Sequence, residues 1–163
     1  VLIVHPFEDT MRQQLARGSE SYWGELGPQV LPSSATYKFV KPPVSLAGAS
    51  REQDVWPAAL ARLVRDVEAV GDFDIALLSC GGLGMLLAAH IHQHLKRTAF
   101  YIGGALQLFF GVMGTRWMDL TKDKAGVYGA LGRSYASHRA NWTRPKAAER
   151  PKDANKVENG AYW

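Results

Sequence analysis

The stretch "FDIALLSCGGLGMLLAAHIHQHLKR", residues 73–97, decides the fold. The apolar run from Asp74 to Ser79 is followed by a glycine-rich corner and by a segment of helical composition that begins on the glycines. A continuous apolar strand is typical of a parallel sheet that helices bury on both faces. We therefore predict a buried strand, a tight corner and a helix from about Leu83 to Leu95.

The segments on either side repeat this order of strand, loop and helix. We predict further strands over Val1–Val4, Tyr37–Val40 and Thr98–Ile102, and helices over residues 11–26 and Asp54–Val70, with Asp54 as an N-cap. The expected fold class is α/β, a Rossmann-like three-layer αβα sandwich with a mostly parallel sheet. The strand order should turn between the first strand and its neighbours.

The C-terminal part has a different pattern. After Gly114 the aromatic residues are scattered among polar and glycine residues without a steady period. We predict a Rossmann-like α/β domain over residues 1–116 and an irregular, aromatic-rich tail over 117–163 that wraps over it. Trp163 should be docked, either on its own domain or on a protein partner. Because the chain opens directly inside a strand, we expect an N-terminal half of the domain to precede it.

Composition and charge limit the classes of partner. The 163 residues carry a net charge of +4, and acids interrupt the densest basic stretch, so we expect no nucleic-acid binding. No apolar run reaches the roughly 18 residues that a bilayer span needs, so we expect no transmembrane segment. The single Cys80 excludes an internal disulfide and favours a reducing compartment.

Three loops leave the carboxyl ends of predicted strands: "HPFEDT", "CGGLG" and "GGALQ". In an open parallel sheet these loops share one rim, where ligands bind. Gly81, Gly82 and Gly84 would let a phosphate or sugar approach the backbone, or would only allow close packing of helix on strand. His5 would donate to a ligand phosphate or cap its loop, and Arg116 would pair with a diphosphate or with an internal carboxylate.

Several other chemistries do not fit the sequence. "CGGLG" is neither the dinucleotide fingerprint nor a Walker motif, which argues against nicotinamide binding and ATP hydrolysis. On a helix His92 points about 200° away from His90 and His94, so we expect the three to share no metal ion. No G-x-S-x-G elbow is present, and the catalytic residues stay unassigned.

Four blocks carry a resemblance to a known family: "VLIVHPFEDTMRQQ" (1–14), "FDIALLSCGGLGMLLAAHI" (73–91), "AFYIGGALQLFFGVMGTRW" (99–117) and "NWTRPKAAERPKDANKVENGAYW" (141–163). Together they resemble the C-terminal half of proteins related to glycosyltransferases of the GT-D fold. The resemblance implies a Rossmann-like sheet, a nucleotide-sugar donor such as UDP-glucose, and a divalent metal held by a D-x-E motif in an N-terminal "GDGE"-like segment. That segment is not in this chain. We therefore expect no cofactor here, and we expect the divalent metal only in sequence that precedes the chain.

The resemblance also supplies candidate binding residues, which are Gly81, Gly82, Gly84, Gly103 and Gly104, followed by Gln107, Gly111 and Arg116. It implies a glycosyltransferase-like domain that binds a nucleotide sugar and is incomplete for catalysis as given. If the chain is an enzyme, it is expected to be a glycosyltransferase. The alternative is a catalytically silent structural or linker subunit of a larger assembly, with the tail as its contact to a protein partner.

Overall fold

A computed structural model describes residues 1–43 and 55–163. Its centre is a four-stranded sheet in which every pairing is parallel. The strands are β1 (Leu2–Val4), β2 (Lys38–Val40), β3 (Ile75–Leu78) and β4 (Thr98–Tyr101), and their spatial order is β2-β1-β3-β4. The predicted α/β fold is confirmed, and so is the turn of strand order at β1.

The α-helices are α1 (Glu8–Arg17), α2 (Glu20–Trp23), α3 (Gly27–Val30), α4 (Trp56–Ala69), α5 (Leu83–Gln93), α6 (Leu106–Phe109) and α7 (Gly129–His138). Short 3-10 turns fill much of the remaining chain. The helix predicted over 11–26 is broken at Gly18, whose φ of +84° cannot continue a right-handed helix. The predicted cap Asp54 lies outside the described residues.

Helices cover the two faces of the sheet in separate layers. On one face, α4 and α5 bury Leu63 and Leu87 against Val4 and Leu78. On the other face, α1 and α6 pack Met11 and Leu106 against Ile3 and Phe39. All three residues of β1 are fully buried, so this strand is the centre of both cores.

One end of the sheet departs from the prediction that β3 is buried on both faces. Ile75 of β3 and Phe100 of the edge strand β4 are 38% and 53% exposed. They face the side covered by α1 and α6, but that layer lies over β1 and β2. The prediction that β3 is buried on both faces is therefore wrong at Ile75, which is partly exposed on the face of α1 and α6.

The tail packs on its own domain. It contains the helix α7, which the sequence pattern did not predict. Leu131 of this helix and Trp142 join Tyr22 and Trp23 of α2 in a third apolar cluster. The indole Nε1 of Trp142 donates to the carbonyl of Tyr22 at 2.9 Å. The division of the chain at residue 116 stays a prediction, since the tail shares this cluster with the N-terminal helices.

None of the helices in the described ranges has the length and apolar character that crossing a bilayer requires. The longest, α4, has 14 residues, whereas about 20 are needed. It also carries charged residues, which are Arg62, Arg65, Asp66 and Glu68.

Two adjacent leucines of α5 test the layer assignment. Leu87 is fully buried against the sheet, whereas Leu86 is 45% exposed. We expect Leu87→Ala to lower the free energy of unfolding by about 2–5 kcal/mol, because it removes packed methyl groups and leaves a cavity. Leu86→Ala should lower it by less than about 1 kcal/mol. Urea unfolding followed by circular dichroism measures both, and equal losses would contradict the assignment.

Candidate functional site

A cavity of about 480 Å³ opens where the strands end, and we call it the rim pocket. Its wall is built by the loops after β1, β2, β3 and β4, by the start of α4, and by the end of the tail. Of the predicted residues, His5, Gly81, Gly82, Gly103, Gly104 and Gln107 line it. Gly84, Gly111 and Arg116 are not part of the lining.

The glycine corners separate into open and packed positions. Gly81 and Gly103 have φ values of +58° and +70°, in the left-handed region that favours glycine. A Cβ added to Gly81, Gly82 or Gly103 would meet no atom within 4 Å. A Cβ on Gly84 would lie 2.5 Å from the ring of Tyr101. Gly82 thus has space beside it for a ligand, whereas Gly84 allows close packing.

Gly104 and Arg116 both contact the end of the tail. A Cβ on Gly104 would lie 2.4 Å from the ring of Tyr162, so this glycine makes room for that ring. The Nη1 of Arg116 donates to Glu158 Oε2 and to the Tyr162 hydroxyl, each at 2.7 Å. Arg116 therefore has the internal carboxylate partner that was one of its two expected roles. Gly111 similarly makes room for the ring of Tyr22.

His5 lines the rim pocket, and its ring is almost completely buried. The side chain is 2% exposed, and its Nδ1 accepts a hydrogen bond from the Phe7 backbone N–H at 3.0 Å. Burial lowers the pKa of His5 to about 3, so the ring is neutral at pH 7. Because Nδ1 acts as the acceptor, the proton is on Nε2. Within residues 1–43 and 55–163 this Nε2 has no hydrogen-bond partner.

Gln107 also lines the rim pocket. Its side chain is fully buried, and Nε2 donates to the carbonyls of Val112 at 3.2 Å and Tyr162 at 3.3 Å. A flipped amide would place its oxygen against these two carbonyls, so the orientation is fixed. The oxygen Oε1 has no partner among the described residues.

Glu149 lines the rim pocket, although no sequence motif indicated it. Its carboxylate accepts hydrogen bonds from the backbone N–H groups of Asp9 at 2.9 Å, Thr10 at 3.3 Å and Lys146 at 3.3 Å, and from the Thr10 hydroxyl. Asp9 and Thr10 lie in the first turn of α1, where the helix dipole favours an anion. Glu149 therefore anchors the tail to α1. No local sequence signal relates two segments so far apart in the chain.

The last two residues form one wall of the rim pocket. The indole of Trp163 lies edge-on to Phe7, with ring centroids 6.2 Å apart. The backbone carbonyl of Trp163 accepts hydrogen bonds from Thr115 Oγ1 and from Arg144 Nη1, each at 3.1 Å. Trp163 is thus docked on its own domain, beside the glycine rim.

The chemistry of the rim pocket is largely uncharged. Glu149 is the only ionisable carboxylate in the described lining, which includes no Lys or Arg. Cys80 also lines the pocket, and burial raises the pKa of its thiol to about 12, so it is not a nucleophile at neutral pH. The described lining therefore suits binding through shape and neutral hydrogen bonds.

The histidines at the C-terminal end of α5, His90, His92 and His94, lie away from the rim pocket. The rings of His90 and His94 stack with centroids 4.8 Å apart, and His90 Nε2 lies 3.0 Å from Glu68 Oε1. The residues that the structure describes contain no group of three or more His, Cys, Asp or Glu arranged to hold a metal ion.

The environment of His5 predicts a pH dependence of stability. Its pKa is about 3 when folded and 6.5 in the reference state, so below pH 6.5 the unfolded chain binds a proton that the folded chain does not. Between pH 7 and pH 5 this should cost the wild type about 2 kcal/mol of unfolding free energy. His5→Asn, which keeps an acceptor for Phe7 N–H, should lose that much less over the same interval. Parallel losses in urea titrations at the two pH values would show that His5 is solvated.

Comparison of the chain with protein-family models, curated proteins and solved structures found no match. The parallel sheet and the rim pocket are therefore the observations from which a function has to be inferred. The parallel sheet supports a Rossmann-like α/β fold. The role of the pocket has to be inferred from the residues that line it.

Proposed function

We propose that the chain is a glycosyltransferase-like domain that binds a nucleotide sugar in the rim pocket. The observation that carries this proposal is the corner at Gly81 and Gly82. Its backbone borders open pocket space and leads into the 11-residue helix α5, whose first turn has no side-chain cap. Uncapped N–H groups at a helix start bind phosphate oxygens, so the diphosphate would lie there.

The size and surface of the rim pocket support a ligand of this kind. Its volume lies in the range of about 300–1,000 Å³ that small-molecule and cofactor sites occupy. The rings of Trp56 and Tyr101 line it, are 62% and 46% exposed, and offer flat surfaces to a base or a sugar. The pocket also lies beside β1, where the strand order turns, which is the usual ligand position in such sheets.

The divalent metal implied by the resemblance does not fit the residues present. Glu149 is the one carboxylate in the described lining, and hydrogen bonds already occupy both of its oxygens. A metal bound here would have to displace the anchor between the tail and α1. We therefore propose a binding role for this domain and assign no catalytic step to it.

A valine at Gly82 tests the position of the diphosphate. Gly82 has open space beside it and a negative φ of −58°, so Gly82→Val should leave the melting temperature unchanged within about 2 °C. The added methyl groups would occupy the phosphate position, and the affinity for UDP-glucose in calorimetry should fall at least about tenfold.

Gly84→Val is the matched control for packing. Its Cβ would meet the Tyr101 ring, so this variant should lower the melting temperature. A Gly82→Val protein that binds UDP-glucose as well as the wild type would contradict the proposed phosphate position. A wild-type chain that binds no nucleotide sugar would overturn the proposed function.

The second candidate is a catalytically silent structural subunit that assembles through β4, which has β3 as its one strand partner among the described residues. The expected tail contact is not favoured, because Trp142 and Trp163 already pack on their own domain. The favouring observation is the edge strand β4 with exposed Phe100 beside exposed Ile75. A second copy could pair with β4 in antiparallel orientation, which keeps the two Arg97 side chains at opposite ends.

Self-association distinguishes this candidate. If β4 pairs with a second copy, light scattering after gel filtration should give twice the monomer mass, and Phe100→Glu should give the monomer mass. Val127→Glu introduces the same charge at a side chain that is 93% exposed elsewhere, and it should not change the mass. A monomeric wild type at high protein concentration would rule out pairing through β4.

A further inference from the structure

The last residues of the chain, 158–163, end in the wall of the rim pocket, and we call them the strap. Tyr162 and Trp163 line the pocket. The glycine corner after β4 is open at Gly103 but filled at Gly104, where an added Cβ would lie 2.4 Å from the Tyr162 ring. The strap therefore occupies space at one of the two glycine corners, whereas the corner after β3 is open.

Hydrogen bonds from the domain hold the strap in place. The backbone carbonyls of Ala161, Tyr162 and Trp163 each accept one or more. Arg116 adds two side-chain contacts, because its Nη1 donates to Glu158 Oε2 and to the Tyr162 hydroxyl, each at 2.7 Å. The side chains of Arg116 and Glu158 are 45% and 53% exposed. Ion pairs in contact with water contribute little to stability, so this contact can open at a small cost.

Two features of the strap oppose its docked position. Glu158, Asn159 and Gly160 are consecutive residues with φ values of +46°, +54° and +76°. This left-handed conformation favours glycine, so the backbone is strained at Glu158 in particular. The indole Nε1 of Trp163 is buried and has no hydrogen-bond partner in the part of the chain that the structure describes. Release of the strap would relax the backbone and return the indole N–H to water.

The tail has a separate anchor upstream of the strap. Glu149 is 7% exposed and accepts hydrogen bonds from the backbone N–H groups of Asp9 and Thr10 at the start of α1. None of these contacts involves the strap. The strap can therefore leave the rim pocket while the rest of the tail stays bound to the domain.

We propose that the strap is an autoinhibitory element that competes with the ligand for the rim pocket. In the docked state it fills the space at Gly104, and a bound ligand favours its release, with residues 158–160 as the hinge. This inference rests on the proposed function, because it concerns the regulation of the same site. A ligand that prefers the released state shifts the equilibrium toward that state, and a variant that releases the strap should bind the ligand more tightly.

Hydrogen–deuterium exchange of the full chain, followed by mass spectrometry, measures release of the strap without a ligand. Peptides that cover residues 158–163 should exchange at least about threefold faster in Arg116→Gln than in the wild type, because both side-chain contacts are lost. Glu158→Gln removes the same ion pair from the side of the strap and should act in the same direction. Arg97→Gln is the matched control and should change nothing. Arg97 is 43% exposed and pairs with Asp72 at 3.4 Å, and neither residue lines the rim pocket.

UDP-glucose is the probe for competition. At saturating concentration it should speed the exchange of residues 158–163 in the wild type. In calorimetry, Arg116→Gln should bind UDP-glucose more tightly by the same factor by which its strap exchanges faster, since both quantities follow the population of the released state. Arg97→Gln should bind it like the wild type. Melting temperatures of all variants are compared, and Glu158→Gln takes the place of Arg116→Gln if the latter does not fold.

The outcomes separate this inference from the proposed function. If UDP-glucose binds and the exchange of the strap becomes slower or stays the same, the strap does not compete with the ligand. The inference is then overturned, and the proposed function survives. Equal exchange in Arg116→Gln and in the wild type would also overturn the inference, because Arg116 would not hold the strap. If the wild type binds no UDP-glucose, the proposed function fails and the inference fails with it.

Discussion

The parallel pairing of β1 with β2 on one side and β3 on the other is the constraint on which the rest of the structure depends. The hydrogen bonds of the sheet continue beyond the strands, since His5 N–H donates to Val40 O, Ser79 N–H to Val4 O and, between β4 and β3, Ile102 N–H to Leu78 O. These bonds place the residues that follow three different strands at one level. The rim pocket is a consequence of this register, and so is the proximity of His5 to the glycine corners.

The docking of the tail is the second constraint. The loops after the strands form one part of the pocket wall, and the tail forms another. Glu149 fixes it at the start of α1, Arg116 holds Tyr162 and Glu158, and Gln107 donates to the carbonyl of Tyr162. Two of these four contacts join a backbone group to a buried side chain, and the two that Arg116 makes join exposed side chains. The wall of the pocket is therefore only as stable as the docking of the tail.

An uncharged pocket has consequences for the proposed ligand. A diphosphate there would depend on backbone N–H groups at the start of α5, and such contacts are weaker than those of Arg or Lys. A sugar ring needs no charged partner, and the exposed aromatic rings of Trp56 and Tyr101 suit its C–H groups.

The sequence by itself determined the four strands and the helices α4 and α5, because apolar runs and glycine corners are local signals. It placed the four strands within about two residues, and it selected the loops of His5, Gly81 and Gly103 as one rim. It could not separate Gly82 from Gly84, since only the position of the Tyr101 ring makes one open and the other packed. Tertiary structure alone decided the roles of Glu149, Arg116 and Trp163, because their partners lie on distant segments and hydrogen bonds between such segments leave no periodic trace in the chain.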